Sequence, residues 1–394
     1  MRLLIFIFIG IWTCTVPATT AQDGRRPTVG AERLAVMISL LEGKRVGLAV
    51  NRTSVVGERQ TFLPDTLLSL GIDVRKIFAP EHGFRGSEEA GAAIADHCDV
   101  KTGLPVVSLY GKNHSPDAAQ LKDVDVIVFD MQDVGTRFYT YISTMHCLME
   151  ACAVHGKKFI VADRPNPNDY VDGPVRREGF KSFVGMHPIP VLHGLTVGEL
   201  ARMINGEGWL DAQGKTCDLT VVTLVGWNHG DACHLPVPPS PNLPNEQAVR
   251  LYPSLCFFEG TSVSVGRGTH FPFQALGYPD GNAGTYVFTP KSLPGFDSNP
   301  LHRDRRCYGI DLRETAFEGG LSLRFVLDFF GRLKRDEKTF FARPQWFDLL
   351  AGTDALRKQI VAGLAEDEIR ASWQAELEAY KKMRSKYLLY NDFR

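Results

Sequence analysis

The segment Ala79-Pro-Glu-His-Gly-Phe-Arg-Gly86 places one carboxyl group, Glu81, next to an imidazole, His82, on a loop punctuated by glycines. A carboxyl group on such a loop can meet a ligand closely, and its chemistry suits general acid catalysis. Glycoside cleavage needs an acid to protonate the leaving oxygen, plus a second group that acts as nucleophile, activates water or stabilises an oxocarbenium-like charge. The competing reading is structural, with Glu81 capping the loop or pairing with Arg85. Further along, Asp130, Asp133 and Asp163 stand near Gln132, Arg137, Tyr139, Tyr141 and Arg164. Arginine forks bind carboxylates, amides and carboxylates bind hydroxyls, and tyrosine rings pack on sugar faces. This is a sugar-binding set in which any two acids could form the catalytic pair, and each aspartate could instead cap the helix that follows it.

Other chemistries lack their signatures. His82, His114, His193 and His229 fall into no HExxH, HxH or CxxC arrangement, so neither a metal nor another cofactor is expected. Ser240 and Ser264 do not sit in a G-x-S-x-G elbow. The glycine-rich stretch Glu259 to Gly268 has neither a Walker lysine nor the dinucleotide fingerprint. Its glycines either form a structural turn or let the backbone and Arg267 reach a ligand across a cleft. The formal net charge is -1, with scattered cations, so no basic field exists for a nucleic-acid partner.

These residues need elements to hold them. Helical periodicity is expected over Ala31 to Leu41, Thr61 to Leu70, Tyr141 to His155 and Thr196 to Gly206. Strands are expected at Arg45 to Val50, Val74 to Phe78, Val106 to Leu109, Val124 to Phe129, Lys158 to Ala162 and Leu219 to Val225. Short apolar strands alternating with helices imply an α/β fold, a mostly parallel sheet covered on both faces. Ligands of such sheets bind beyond the carboxyl ends of the strands, where the acids above fall.

The Pro-rich run Leu235 to Pro244 can continue neither helix nor ladder and reads as a crossover between domains. It divides a catalytic α/β domain over 30–232 from a smaller α+β domain over 235–394. In the latter, strand-like pieces are expected near Thr285 to Phe288 and at Leu321, with amphipathic helices at Leu321 to Leu333 and Ile369 to Ser385. At the other end, Met1-Arg2, the apolar run Leu3 to Trp12 and small residues to Ala21 read as a signal peptide over 1–21, so a periplasmic or secreted protein is expected. Trp12 and Thr13 fit poorly before a lipidated cysteine, which argues against an anchor at Cys14. No later stretch reaches the roughly 18 apolar residues of a membrane helix. The cysteines beyond Cys14 show no metal spacing and read as buried structural thiols, with at least one free or intermolecularly bonded.

Taken in order, these segments resemble the exo-β-N-acetylmuramidase family of peptidoglycan turnover, formerly a domain of unknown function. The resemblance runs through Val46 to Ser54, Ala79 to Gly86, Leu109 to Gly111, Phe129 to Tyr141 and Ala162 to Pro167. It continues in Pro190 to Leu200, Pro239 to Pro244, Glu259 to Thr269 with Pro272-Phe273, and Tyr387 to Tyr390. It implies a Rossmann-like, doubly wound domain with a smaller partner domain, and release of N-acetylmuramic acid from the non-reducing ends of peptidoglycan-derived muramyl saccharides. Glu81 matches the family's candidate catalytic glutamate, with Asp133 or Asp163 in support. Asn51, His82, Arg85, Gln132, Arg137, Tyr139, Arg164, His193, Asn242, Glu259 and Arg267 are carried over as substrate-binding positions. Ala49, Arg52 and Val265 depart from the family's usual residues. Two other readings stand beside this one: a periplasmic amino-sugar receptor, and a hydrolase of another cell-wall linkage.

Overall fold

Seven short runs pair into one sheet, with the spatial order β7-β6-β5-β1-β2-β4-β3. They are β1 (Val46–Val50), β2 (Val74–Ala79), β3 (His97–Cys98), β4 (Pro105–Ser108), β5 (Val126–Asp130), β6 (Lys158–Ala162) and β7 (Asp218–Val222). The computed structural model describes residues 26–81, 83–85, 97–111, 113–317, 319–333 and 337–393, so His82 and the expected signal segment lie outside the described residues. All neighbouring strands are parallel except β3, which runs antiparallel to β4 at the edge.

The strand sequences alternate between two apolar faces. Leu48, Ile77, Val126, Val128 and Ile160 pack with Met37 and Leu41 of α1 (Leu34–Leu41) and with Leu63 and Leu67 of α2 (Leu63–Ser69). Ala49, Phe78, Ile127, Phe129 and Phe159 point the other way, toward α3 (Tyr141–His155) and α4 (Val197–Gly206). A strand buried on both faces carries an almost unbroken apolar run, which is why β1 and β5 read so clearly in the sequence. Thr196 and Glu199 form a capping box that starts α4.

The α3/α4 core continues without a break into the C-terminal half, through Phe138, Tyr252, Phe257, Phe329, Phe347 and Tyr380. That half holds α5 (Glu246–Leu255) and an antiparallel sheet of β8 (Ala275–Tyr278), β9 (Tyr286–Phe288) and β10 (Cys307–Asp311), in the order β8-β10-β9. It ends in α6 (Arg324–Arg332), α7 (Glu337–Phe340), α8 (Pro344–Ala351), α9 (Ala355–Ala362), α10 (Glu366–Ala371) and α11 (Gln374–Arg384). Leu321 lies in a loop rather than a strand. The periodic stretch from Ile369 is broken between α10 and α11, where the Ser372 hydroxyl donates to the Ile369 carbonyl and ends the first helix. The seven described cysteines are all free thiols, of which Cys152, Cys217, Cys256 and Cys307 are buried. Among the described residues no helix is long and apolar enough to cross a membrane.

The chain end returns to the sheet. The Leu389 N–H donates to Glu199 Oε1 at 2.8 Å, and Tyr390 donates to Asp163 Oδ2 at 2.5 Å. Buried His229 lies between Asp169, 3.0 Å from Nδ1, and Glu199, 3.1 Å from Nε2. Burial works against its charge, but the two carboxylates outweigh it and raise its pKa to about 9. Because the folded value lies above the unfolded one, this contribution is fully present below about pH 6.5 and is lost as pH rises through about 9. Melting temperature should therefore fall across that window more steeply in the wild type than in His229→Gln. Parallel melting curves for the two would refute the charged assignment.

Candidate active site

The carboxyl ends of β2, β4 and β5 supply one wall of a 440 Å³ cavity, through Glu81, Tyr110 and the segment Phe138 to Tyr141. The C-terminal half supplies Asn242, Tyr252, Glu259, Arg267 and Phe273, and α8 adds Trp346 and Leu350. A second cavity of 470 Å³ shares Glu81, Tyr110, Glu259 and Arg267 with the first, so these four residues stand where the two meet.

Glu81 accepts a hydrogen bond from Thr140 Oγ1 at 3.1 Å. The Tyr110 hydroxyl is also hydrogen-bonded to it, and burial together with the Glu81 charge pushes the Tyr110 pKa up, which keeps this phenol a donor. Two hydroxyls from different strand ends thus aim the carboxylate into the cavity. Glu259 pairs with Arg267 at 2.6 Å, and the guanidinium lies 5.3 Å from the Phe273 ring centre. Burial opposes the charge on Arg267, but Glu259 outweighs that and holds its pKa above the usual range.

The remaining walls are aromatic. His114 stacks on Phe183 at 4.1 Å, and Tyr139 meets Tyr141 edge-on at 4.8 Å. The hydroxyls of Tyr139 and Tyr141 both donate to the Pro239 carbonyl, at 3.0 and 3.4 Å. His114 Nδ1 and Asn242 Oδ1 are buried without a hydrogen-bond partner among the described residues, leaving one ring nitrogen and one amide oxygen for a ligand. No group of three or more His, Cys, Asp or Glu among the described residues is placed to hold a metal ion.

Of the residues expected at the site, Glu81, Tyr139, Asn242, Glu259 and Arg267 are brought together. The other described ones stand outside both cavities. Asp163 is fully buried, accepts from Thr196 Oγ1, the Gly198 N–H and Tyr390, and so anchors α4 and the chain end. Burial raises its pKa to about 7 against the pull of those donors. Asp133 Oδ2 accepts from the Gly135 N–H at 2.7 Å with His193 Nε2 3.8 Å away, while Asp133 Oδ1 and His193 Nε2 have no hydrogen-bond partner among the described residues. Asn51 Oδ1 accepts from Thr53, and Gln132 donates to the carbonyls of Asp133 and Pro165. Arg164 forks onto Asp130 at 2.6 and 3.0 Å, while Arg85 pairs with Asp99 at 2.7 Å. Arg137 is fully buried and donates to the carbonyls of Pro174, Ile189 and Leu350, each at 2.8 Å. The acids near the strand ends were correctly placed, but burial has turned most of them into scaffold. Phe183 and Trp346 were missed as lining residues, and Tyr110 and Phe273 fall in segments of family resemblance but were not carried over as binding positions.

Two carboxylates flanked by stacked aromatics, at the junction of two sugar-sized cavities beyond a parallel sheet, are the equipment of a glycoside hydrolase. The N-terminal sequence pattern of exo-β-N-acetylmuramidase NamZ matches residues 46–247 and its C-terminal pattern matches 250–390, and the chain belongs to this family. It is 36% identical to the peptidoglycan β-N-acetylmuramidase NamZ of Bacillus subtilis strain 168, with 99% of this chain and 100% of that protein covered. The crystal structure of a DUF1343 family protein from Bacteroides fragilis NCTC 9343 superposes with a TM-score of 0.86 at 44% identity, covering 94% of this chain and 100% of that one. A second DUF1343 family protein from that strain gives 0.78 at 31% identity, covering 93% and 99%.

The contacts of Arg137 make a stability prediction. Arg137→Ala removes the guanidinium donor from the Pro174 and Leu350 carbonyls and one of the two donors of the Ile189 carbonyl, which keeps the Arg176 N–H, and should cost about 3 kcal/mol, read as a lower melting temperature. An unchanged melting temperature with a raised KM would instead make Arg137 a ligand contact.

Proposed function

We propose that this protein is an exo-acting glycosidase that releases N-acetylmuramic acid from the non-reducing end of peptidoglycan fragments. The reading rests on one observation above the rest: Glu81 and Glu259, contributed by opposite halves of the chain, line both cavities where these meet. A terminal sugar in one cavity and the remainder of the glycan in the other would place the scissile bond between the two acids. Glu81 then protonates the leaving oxygen, aimed by Tyr110 and Thr140. Glu259, in place of Asp133 or Asp163, supports the positive charge that develops on the sugar ring or activates water. Arg267 holds Glu259 and stands ready for a substrate carboxylate such as a lactyl group. The relative named as a peptidoglycan β-N-acetylmuramidase supports the choice of sugar.

The same reading carries a Rossmann-like domain over 30–232 and a closing domain over 235–394, with the active site between them. It also includes export directed by residues 1–21, supported by the apolar run Leu3 to Trp12 and the small residues that follow. A purified native protein that began at Met1 would overturn the export claim.

The main test is hydrolysis of an aryl β-N-acetylmuraminide beside the matching N-acetylglucosaminide. The muraminide alone should turn over. Glu81→Gln should lower kcat by roughly 100- to 10,000-fold with little change in KM. Turnover undiminished in Glu81→Gln would exclude this residue as the acid, and no turnover of either glycoside by the wild type would exclude the muramidase reading.

A further inference from the structure

A third cavity, larger than either of the two beside Glu81, lies elsewhere among the described residues. It measures 750 Å³, shares no lining residue with the two cavities of the active site, and opens among the loop after β6, the loop containing Gly230 to His234, α11 and the chain end. Helix α5 separates it from the active site: Arg250 lines the large cavity, whereas Tyr252 and Cys256 line the catalytic one.

Two buried side chains on its wall are held rigidly and are each left with one unmatched polar atom. Arg384, with its side chain only 3% exposed, donates from Nε to the Gly194 carbonyl and from Nη1 to both oxygens of Asp392, while Nη2 has no partner among the described residues. Asn168, fully buried, donates from Nδ2 to the carbonyls of Val134 and Val249, while Oδ1 has none. Native structures match nearly all of their buried polar atoms, so a donor and an acceptor left over on one cavity wall point to a ligand that supplies the complement. That ligand must bring an acceptor for the guanidinium and an N–H or O–H for the amide oxygen. The ionised groups of the wall are Arg250, Lys381 and Arg384 against Asp169, Asp231 and Asp392, so its charge is balanced and the acceptor is a carbonyl or a carboxylate oxygen. Tyr170 and Phe393, both exposed at 42%, add an apolar surface for an acyl methyl or a side chain, and the Phe393 ring lies 5.1 Å from the Arg384 guanidinium. The volume is that of a small-molecule site and far exceeds what one bridging water needs.

We propose that this cavity is a second binding site, for a small ligand carrying a secondary amide and a carbonyl or carboxylate oxygen. An N-acylated peptide with a free C-terminus and an N-acetylated acidic sugar share that chemistry. The proposal does not rest on the glycosidase reading of the other site.

The test is isothermal titration of the full chain with two probes, N-acetyl-alanyl-alanine and N-acetylmuramic acid. Two variants accompany the wild type: Ala232→Trp, which plugs the mouth from an exposed position, and Lys381→Glu, which reverses a charge at the wall. At least one probe should bind, and its affinity should fall at least tenfold in Ala232→Trp and severalfold in Lys381→Glu, with muraminide hydrolysis and melting temperature unchanged. The probe whose binding is lost identifies the source, peptide or sugar. The site is refuted if neither probe binds, or if binding is indifferent to Ala232→Trp, as it would be for a sugar seated beside Glu81. Indifference to Lys381→Glu alone would remove the carboxylate from the proposal.

Discussion

The active-site cleft depends on a buried guanidinium, Arg137, that no carboxylate among the described residues pairs with. Arg137 donates from Nη1 and Nη2 to three backbone carbonyls drawn from distant parts of the chain, at Pro174, Ile189 and Leu350, and its own backbone N–H donates to the Val191 carbonyl. Burial, with Arg176 nearby, lowers its pKa to about 9, so it remains a cation at neutral pH and its field is met only by peptide dipoles. Phe138 to Tyr141 follow directly in the chain, so fixing Arg137 fixes one wall of the cavity. Leu350 and Trp346 belong to α8, so the same side chain fixes the wall opposite in sequence. The fit is close enough to dictate a neighbouring residue. Gly352 caps α8 at φ 72°, and a Cβ there would come within 2.8 Å of Arg137 Nη2.

A similar economy of donors explains why so many acids near the strand ends line neither cavity. A carboxylate is tolerated in the interior only if donors surround it, and those donors then occupy the oxygens a substrate would need. Asp130 is taken by Arg164 and Asp163 by the start of α4 and by Tyr390. The crevice between β1 and β5, where the strand order reverses and an open α/β sheet usually binds its ligand, is closed in the same way. Ser54 donates to the Asp130 carbonyl, and the Gln132 N–H donates to Thr53. The cavity is displaced toward β2 and β4, where Glu81 stays half-buried and reachable.

Sequence alone made the sheet half of this molecule legible, since α3 and β6 were bounded as observed by period and apolar content. Glu81 stood out because it follows an apolar strand on a loop of glycines, its catalytic role was implied by the family resemblance, and the structure adds its place where the two cavities meet. An aspartate at a strand end, by contrast, presents the same local pattern whether it caps a helix or attacks a substrate, and only burial distinguishes Asp163 from a catalytic acid. Glu259 was placed among the binding residues through family resemblance, and its meeting with Glu81 across the fold is a tertiary fact with no local signature. α5 and α8 went unread, although the first carries Tyr252 and the second Trp346.

The Pro-rich crossover also decides how the site can recognise a sugar. Proline lacks an N–H, so this segment forms no ladder and its carbonyls look for other donors. The Pro239 carbonyl accepts from both Tyr139 and Tyr141, and these hydroxyls are thereby turned away from any ligand. What the two tyrosines then offer is ring surface, suited to the apolar face of a pyranose. Polar discrimination falls to groups that still have capacity, which are Asn242 Oδ1, His114 Nδ1 and the Glu259–Arg267 pair. Most of these come from the C-terminal half. The sheet therefore supplies Glu81 and the ring surface, while most of the polar groups left with capacity come from the crossover and the half that follows it.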